Sequence, residues 1–124
     1  MKSSIHIAVA ALAMAIGAPA PAQPAAQTIV MSNFRYSPPT LRLAAGRPVT
    51  LTFVNRSGGG HDFTAKAFFA NSTITAGAAP GGEVEVRGGA TKSITLIPRA
   101  GTYSAHCSHF LHTPMGMRGT ILVN

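Results

Sequence analysis

The chain has 124 residues, which suits a single domain rather than two. Its formal charge is +7, but the Lys and Arg residues are scattered and form no basic run interleaved with aromatic residues, which argues against nucleic-acid binding. The single cysteine, Cys107, excludes an internal disulfide, so the domain must be held together by its hydrophobic core.

The first 22 residues have the pattern of an export signal. Lys2 supplies a positive start, residues 5–16 form an apolar run without acidic residues, Lys or Arg, and residues 20–22 offer the small-x-small pattern of a cleavage site. We therefore predict a signal peptide over 1–22, cleavage after Ala22, and a periplasmic or secreted protein. Because the apolar run is shorter than the ~20 residues of a membrane-spanning helix, an uncleaved anchor is the less favoured alternative.

The rest of the chain predicts an all-β domain over 28–124, preceded by a flexible Pro/Ala-rich junction at 23–27. Short β-type runs are separated by Gly and Pro residues, as is typical of a sandwich or barrel. The predicted strands lie at 28–32, 40–43, 48–55, 83–87, 91–97, 101–107 and 118–123. The Ala-rich segment 65–71 predicts one or two helical turns that cap an end of the sandwich.

Metal-ligating side chains are concentrated in residues 106–117, which hold one Cys, three His and two Met. Soft thiolate and thioether ligands select copper or other soft ions, and imidazole suits copper, zinc or iron. An unpaired thiol in an oxidising compartment is liable to oxidation unless it is buried or metal-bound. His61 is the only other histidine after the predicted leader, so it is the candidate for a ligand from outside this segment.

This segment resembles the C-terminal copper loop of the cupredoxin family, to which plastocyanin and azurin belong. Cys107, His112 and Met117 follow the order Cys-x4-His-x4-Met, most similar to the type 1 site of multicopper oxidases. Residues 33–38 resemble the family's first hairpin, and residues 55–61 resemble the turn before its first copper histidine. The resemblance implies a Greek-key β-sandwich or barrel of about seven to eight strands. It also implies one copper ion held by His61, Cys107, His112 and, more weakly, Met117.

Two positions depart from the family pattern. Ser108 stands where a multicopper oxidase has a second histidine, and the oxidases' additional domains and His-x-His pairs are missing, so we expect no enzymatic activity. Asp62 follows the first histidine, where many cupredoxins have Asn or Ser. Its carboxylate either accepts a hydrogen bond from the Ser108 hydroxyl or a backbone N–H, or lies solvated beside the site.

Strand alternation and spacing separate the remaining candidates. In an extended 101–107 segment, Cys107 points inward and His106 points away, so we interpret His106 as a structural or surface residue. His109 follows Cys107 too closely for a cupredoxin spacing, and we expect it to be exposed or bonded within the loop, with metal transfer or partner contact as the lesser alternative. Met115 competes with Met117 for the axial position, but Met117 fits better because it lies two residues before Gly119 and the closing strand.

Single-electron transfer through copper is therefore the leading functional hypothesis, with a copper carrier, buffer or resistance protein as the alternative. We expect an apolar patch around His112, drawn from Phe110, Leu111, Pro114 and Met115. The excess of Lys and Arg predicts a redox partner that is acidic at its docking surface. We expect a monomer that binds no nucleic acid and has no stable membrane insertion once the leader is cleaved.

Overall fold

The computed structural model describes residues 3–5, 7–14, 17 and 23–124. The described residues before Gln23 form neither helix nor strand. Lys2 and the predicted cleavage site at 20–22 lie outside the described residues. Of the helices in the described part of the chain, none has the length and hydropathy of a membrane span.

Within residues 23–124, ten strands form two five-stranded sheets with little helix. The strands are β1 (Ala25–Ser32), β2 (Arg35–Ser37), β3 (Thr40–Leu43), β4 (Val49–Asn55), β5 (His61–Thr64), β6 (Thr73–Ala76), β7 (Glu83–Val86), β8 (Thr91–Ile97), β9 (Gly101–His106) and β10 (Arg118–Val123). A helix, α1 (Lys66–Ala70), follows β5, and a 3-10 turn at Pro80–Gly82 precedes β7. The sheet orders are β2-β1-β4-β8-β6 and β3-β10-β9-β5-β7, and each sheet contains one parallel pair.

The all-β prediction is confirmed, as are the seven predicted strands and the helical segment. The sheets contain ten strands rather than the seven to eight that the resemblance implied, and the strands that were not predicted are β2, β5 and β6. All four residues of β5 are buried, so this strand has no polar–apolar alternation by which the sequence could reveal it. The flexible junction at 23–27 was partly wrong: Ala25 to Gln27 extend β1 and pair with Val49 to Leu51.

Alternation along β4 shows how the core is built between the sheets. Val49, Leu51 and Phe53 are buried, while the intervening Thr50 and Thr52 face outward. Full burial of an aliphatic or aromatic side chain contributes roughly 1.5–3 kcal/mol, so these inward residues hold the sheets together. The ends of β4 and β9 and the starts of β5 and β10 meet at one end of the sandwich, where the metal-ligating residues lie.

Candidate metal centre

The candidate ligands come from two elements of the second sheet. His61 is the first residue of β5, and Cys107 directly follows the last residue of β9. Residues 107–117, which we call the ligand loop, connect β9 to β10. Since β9 and β10 pair antiparallel, with His106 opposite Arg118, the loop must turn back at this end of the sandwich. The turn brings His112 over His61.

Three side chains direct their donor atoms to one point. His61 Nδ1 and His112 Nδ1 are 3.1 Å apart, and Cys107 Sγ lies 3.3 Å from His112 Nδ1 and 3.9 Å from His61 Nδ1. Metal bonds of about 2.0–2.3 Å place nitrogen and sulfur ligands of one trigonal or tetrahedral ion about 3.4–3.8 Å apart. The measured separations lie close to this range, and the N, N, S donor set suits copper.

Met117 is fully buried next to these donors. Its carbonyl accepts a hydrogen bond from the Cys107 N–H (3.0 Å), and its own N–H donates to the His112 carbonyl (3.0 Å). These bonds fix Met117 between the cysteine and the second histidine. Met115 is 58% exposed, as expected of a surface residue. The role of Met117 as the axial ligand stays a prediction.

Burial also sets the protonation of the ligands in the metal-free protein. Burial, reinforced by His112 and His109, lowers the pKa of His61, so its imidazole is neutral, the form that binds a metal. Burial raises the pKa of the Cys107 thiol, which favours its protonated form while no metal is bound. With Nδ1 directed at the metal position, the other nitrogen of His61, Nε2, is buried and has no hydrogen-bond partner among the described residues.

Asp62 ties the ligand loop to β5. Its side chain is fully buried and accepts hydrogen bonds from the Ser108 N–H (2.8 Å), the Ser108 hydroxyl and the Thr64 hydroxyl (2.8 Å). The Asp62 N–H points at Cys107 Sγ at 3.4 Å. Asp62 was expected either to accept a hydrogen bond from Ser108 or a backbone N–H, or to lie solvated. The structure supports the first interpretation, since both the Ser108 hydroxyl and the Ser108 N–H donate to it. Three donors therefore converge on this buried side chain.

The two other histidines of the segment differ in their surroundings. His106 is exposed and Cys107 is buried, which confirms the alternation predicted for β9. The prediction that His109 is exposed or bonds within the loop holds for its backbone, because the His109 carbonyl accepts the His112 N–H (3.1 Å). Its side chain differs from the prediction: it is half-buried, and Nε2 lies 2.9 and 3.0 Å from the two carboxylate oxygens of Glu85 on β7. Sequence reasoning missed Glu85 because its proximity depends on the β5–β7 pairing, in which it lies opposite Asp62.

Two further groups of donor atoms converge nearby. Asp62, Cys107 and His109 form one, and Asp62, Glu83 and Glu85 form the other. In the first group, the Asp62 oxygens already accept three hydrogen bonds and His109 Nε2 is engaged by Glu85. Among the described residues, His61, Cys107 and His112 are therefore the donors best placed to share one ion.

Comparisons with known proteins identify the family and the fold. A family model described as a cupredoxin-like domain matches residues 4–123. An auracyanin from Roseiflexus castenholzii, solved in a dithionite-reduced state, is 22% identical, with a TM-score of 0.62 over 84% of this chain and 99% of that one. Auracyanin A, described as a "blue" copper protein from Chloroflexus aurantiacus, is 21% identical, with a TM-score of 0.62 over 82% of this chain and 100% of that one.

The McoA multicopper oxidase from Aquifex aeolicus is also similar, at 16% identity and a TM-score of 0.64. The match covers 88% of this chain but only 32% of the oxidase. At these identities the solved structures establish the fold alone. No curated protein sequence matches the chain significantly.

Proposed function

This chain belongs to the cupredoxin-like family, and on that basis we propose that it is an exported copper protein that carries single electrons between redox partners. The observation that carries the proposal is the convergence of His61 Nδ1, Cys107 Sγ and His112 Nδ1 within 3.9 Å of one another, beside the buried Met117. These four residues would hold the ion. When bound, copper supplies a one-electron couple between Cu(I) and Cu(II).

The protein's own contribution is to hold the ligands rigidly and away from water. His61, Cys107 and Met117 are at most 1% exposed, and the Asp62 carboxylate fixes Ser108 next to the cysteine. Ligands held in one arrangement limit the rearrangement between oxidation states. The Asp62 N–H directed at Cys107 Sγ would stabilise negative charge on the sulfur and so adjust the potential.

His112 is the ligand through which electrons would enter and leave. It is half-buried, with the Phe34 ring edge-on at 5.2 Å, and the loop around it exposes Phe110 (86%), Leu111 (52%) and Met115 (58%). An exposed apolar patch of this kind suits brief contact with a partner protein, because water is easily displaced from it.

The charges at this end favour an acidic partner. Four exposed arginines lie at strand ends on the side of the metal centre, Arg35, Arg56, Arg87 and Arg118. They outnumber the three carboxylates found there, Asp62, Glu83 and Glu85, of which Asp62 is buried. Positive charge around a contact patch accelerates encounter with a negatively charged surface and makes it sensitive to salt. The leader pattern at 1–22 supports export to the periplasm or beyond, and we expect the mature domain to act as a monomer. We propose no enzymatic turnover, because Ser108 replaces the second histidine of the oxidases.

The optical spectrum of the copper-loaded protein tests the proposal. Addition of Cu(II) to the purified protein should give an intense blue or green colour, from thiolate charge transfer, that disappears reversibly on reduction. A colourless protein that retains only Cu(I) would instead support the copper carrier or buffer.

Ligand variants test the individual assignments. Cys107→Ser should abolish the charge-transfer band, because the band arises from the thiolate. Met117→Gln should shift the band and the potential while copper stays bound. Met115→Gln is the matched control, and a shift in that variant instead of Met117→Gln would contradict the axial assignment.

A further inference from the structure

The ligand loop contacts the rest of the domain at several points, and two adjacent loop residues bind carboxylates on the β5–β7 strand pair. Ser108 binds the Asp62 carboxylate on β5, and His109 binds the Glu85 carboxylate on β7. Asp62 and Glu85 lie opposite each other in the β5–β7 ladder, so the two attachments are side by side. We call the second attachment, between Glu85 and His109, the clasp.

The clasp connects the edge of the sheet to a metal-binding histidine. His109 Nε2 lies within 3.0 Å of both Glu85 oxygens, and the His109 ring stacks on the ring of His112, with centroids 5.3 Å apart and planes inclined by 21°. On its other side His112 meets the edge-on ring of Phe34. The orientation of His112 is thus limited by two aromatic contacts, one of which Glu85 holds in place.

Gly60 provides the space that the clasp occupies. A Cβ atom at Gly60 would lie 3.1 Å from Glu85 Oε1 and 3.3 Å from His109 Cε1, closer than side chains normally approach. At the neighbouring Gly59 a Cβ atom would meet nothing within 4 Å. Neither glycine has a positive φ, so an alanine would strain the backbone at neither position.

We propose that His109 and Glu85 are positioning residues that keep the ligand loop closed over the metal position before a metal binds. The clasp, together with the Ser108–Asp62 bonds, joins the loop to the paired strands β5 and β7, of which β5 carries His61. Because both attachments are made by protein atoms alone, they act in the metal-free protein. The relevance of the clasp to copper rests on the proposed function, but the closure itself does not.

Thiol labelling of the metal-free protein measures this closure directly. Cys107 is the only cysteine and is 0% exposed, so a thiol reagent reaches it only when the loop opens. Loss of one hydrogen bond to a charged group at a partly exposed site should shift the equilibrium between the closed and the open loop roughly tenfold toward the open form. We therefore expect Glu85→Ala to accelerate labelling about tenfold and His109→Ala at least as much, because it also removes the stacking on His112. The double variant should be no faster than His109→Ala, which already lacks the Glu85 contact.

Three variants serve as controls. Glu85→Gln keeps an oxygen that can accept the His109 N–H and should restore most of the protection. His106→Ala removes an exposed histidine on β9, and it should label like the wild type. Labelling at low urea concentration should be nearly independent of urea, because local opening exposes little surface, whereas global unfolding would give a steep dependence.

Gly60→Ala tests the clasp without removing either partner. Its methyl group should push Glu85 and His109 apart and accelerate labelling, whereas Gly59→Ala should leave the rate unchanged. Equal rates for Gly60→Ala, Glu85→Ala and the wild type would refute the proposal. Acceleration with a steep urea dependence would also refute it, because the residues would then contribute only to global stability.

The copper-loaded protein gives an independent readout of His112 orientation. If the clasp positions His112, Glu85→Ala should shift the charge-transfer band, and His106→Ala should not. An unchanged band in Glu85→Ala would contradict the positioning of His112. If the wild type shows no charge-transfer band, the proposed function fails, while the labelling result still decides whether the loop is held closed.

Discussion

Replacement of Asp62 by alanine should destabilise the metal-free protein more than any other change near the metal centre that keeps the core intact. The Asp62 carboxylate accepts hydrogen bonds from Thr64 Oγ1 and from two atoms of Ser108. Thr64 is only 4% exposed, so its hydroxyl would lose its acceptor and gain no water. Ser108 is exposed and can be partly rehydrated.

The expected loss follows from these differences in exposure. A buried donor without an acceptor costs about 1–3 kcal/mol, and a hydrogen bond to a charged group is worth about 1.5–3 kcal/mol. With partial rehydration of Ser108, we expect Asp62→Ala to lower the free energy of unfolding by about 3 kcal/mol, or to lower Tm by roughly 10–20 °C for a domain of this size. Asp62→Asn keeps one acceptor oxygen and should lose about half as much. Ser108→Ala, which leaves the Thr64 bond intact, should lose about 1 kcal/mol.

Urea unfolding of the metal-free variants, followed by far-UV circular dichroism because the chain has no tryptophan, measures the series. The loss in free energy of unfolding should be largest for Asp62→Ala, smaller for Asp62→Asn and smallest for Ser108→Ala. This order tests the hydrogen-bond reasoning even if the individual values differ from those expected. A loss below about 0.5 kcal/mol in Asp62→Ala, the range of ordinary surface substitutions, would refute the claim that this carboxylate holds the loop to β5.

Three further outcomes follow from the structure. Burial raises the pKa of Tyr36, so above pH ~10 the unfolded chain releases a proton that the folded protein keeps. The free energy of unfolding should therefore fall as the pH rises past ~10, and it should fall less steeply in Tyr36→Phe. Oxidation of the reduced copper protein by an anionic complex should slow with added salt and in Arg118→Glu, and a salt-independent rate would argue against steering by charge. Leu51→Ala should cost about 2–5 kcal/mol in urea unfolding because Leu51 is fully buried between the sheets, whereas Thr52→Ala on the outer face should cost far less.

The predictions that the structure confirmed depend on patterns within single segments of the sequence. The alternation at 48–55 and 101–107 identified β4 and β9 and their inward faces, because side chains in a strand alternate with a period of two. The same alternation assigned His106 to the outside. Cys107, His112 and Met117 lie in one loop of eleven residues, so their spacing alone restricts the metals that they can hold.

The features that the sequence could not reveal depend on pairing between distant segments. Strand β5 carries no periodic signal because both of its faces are buried, and its neighbour β7 lies some twenty residues further along the chain. That pairing places Asp62 beside Ser108 and Glu85 beside His109. The sequence by itself predicts which side chains one loop contributes to a metal centre, because their spacing along the chain keeps them close together. Only the tertiary structure decides which carboxylates meet that loop, because this depends on long-range strand register and on the space left by Gly60.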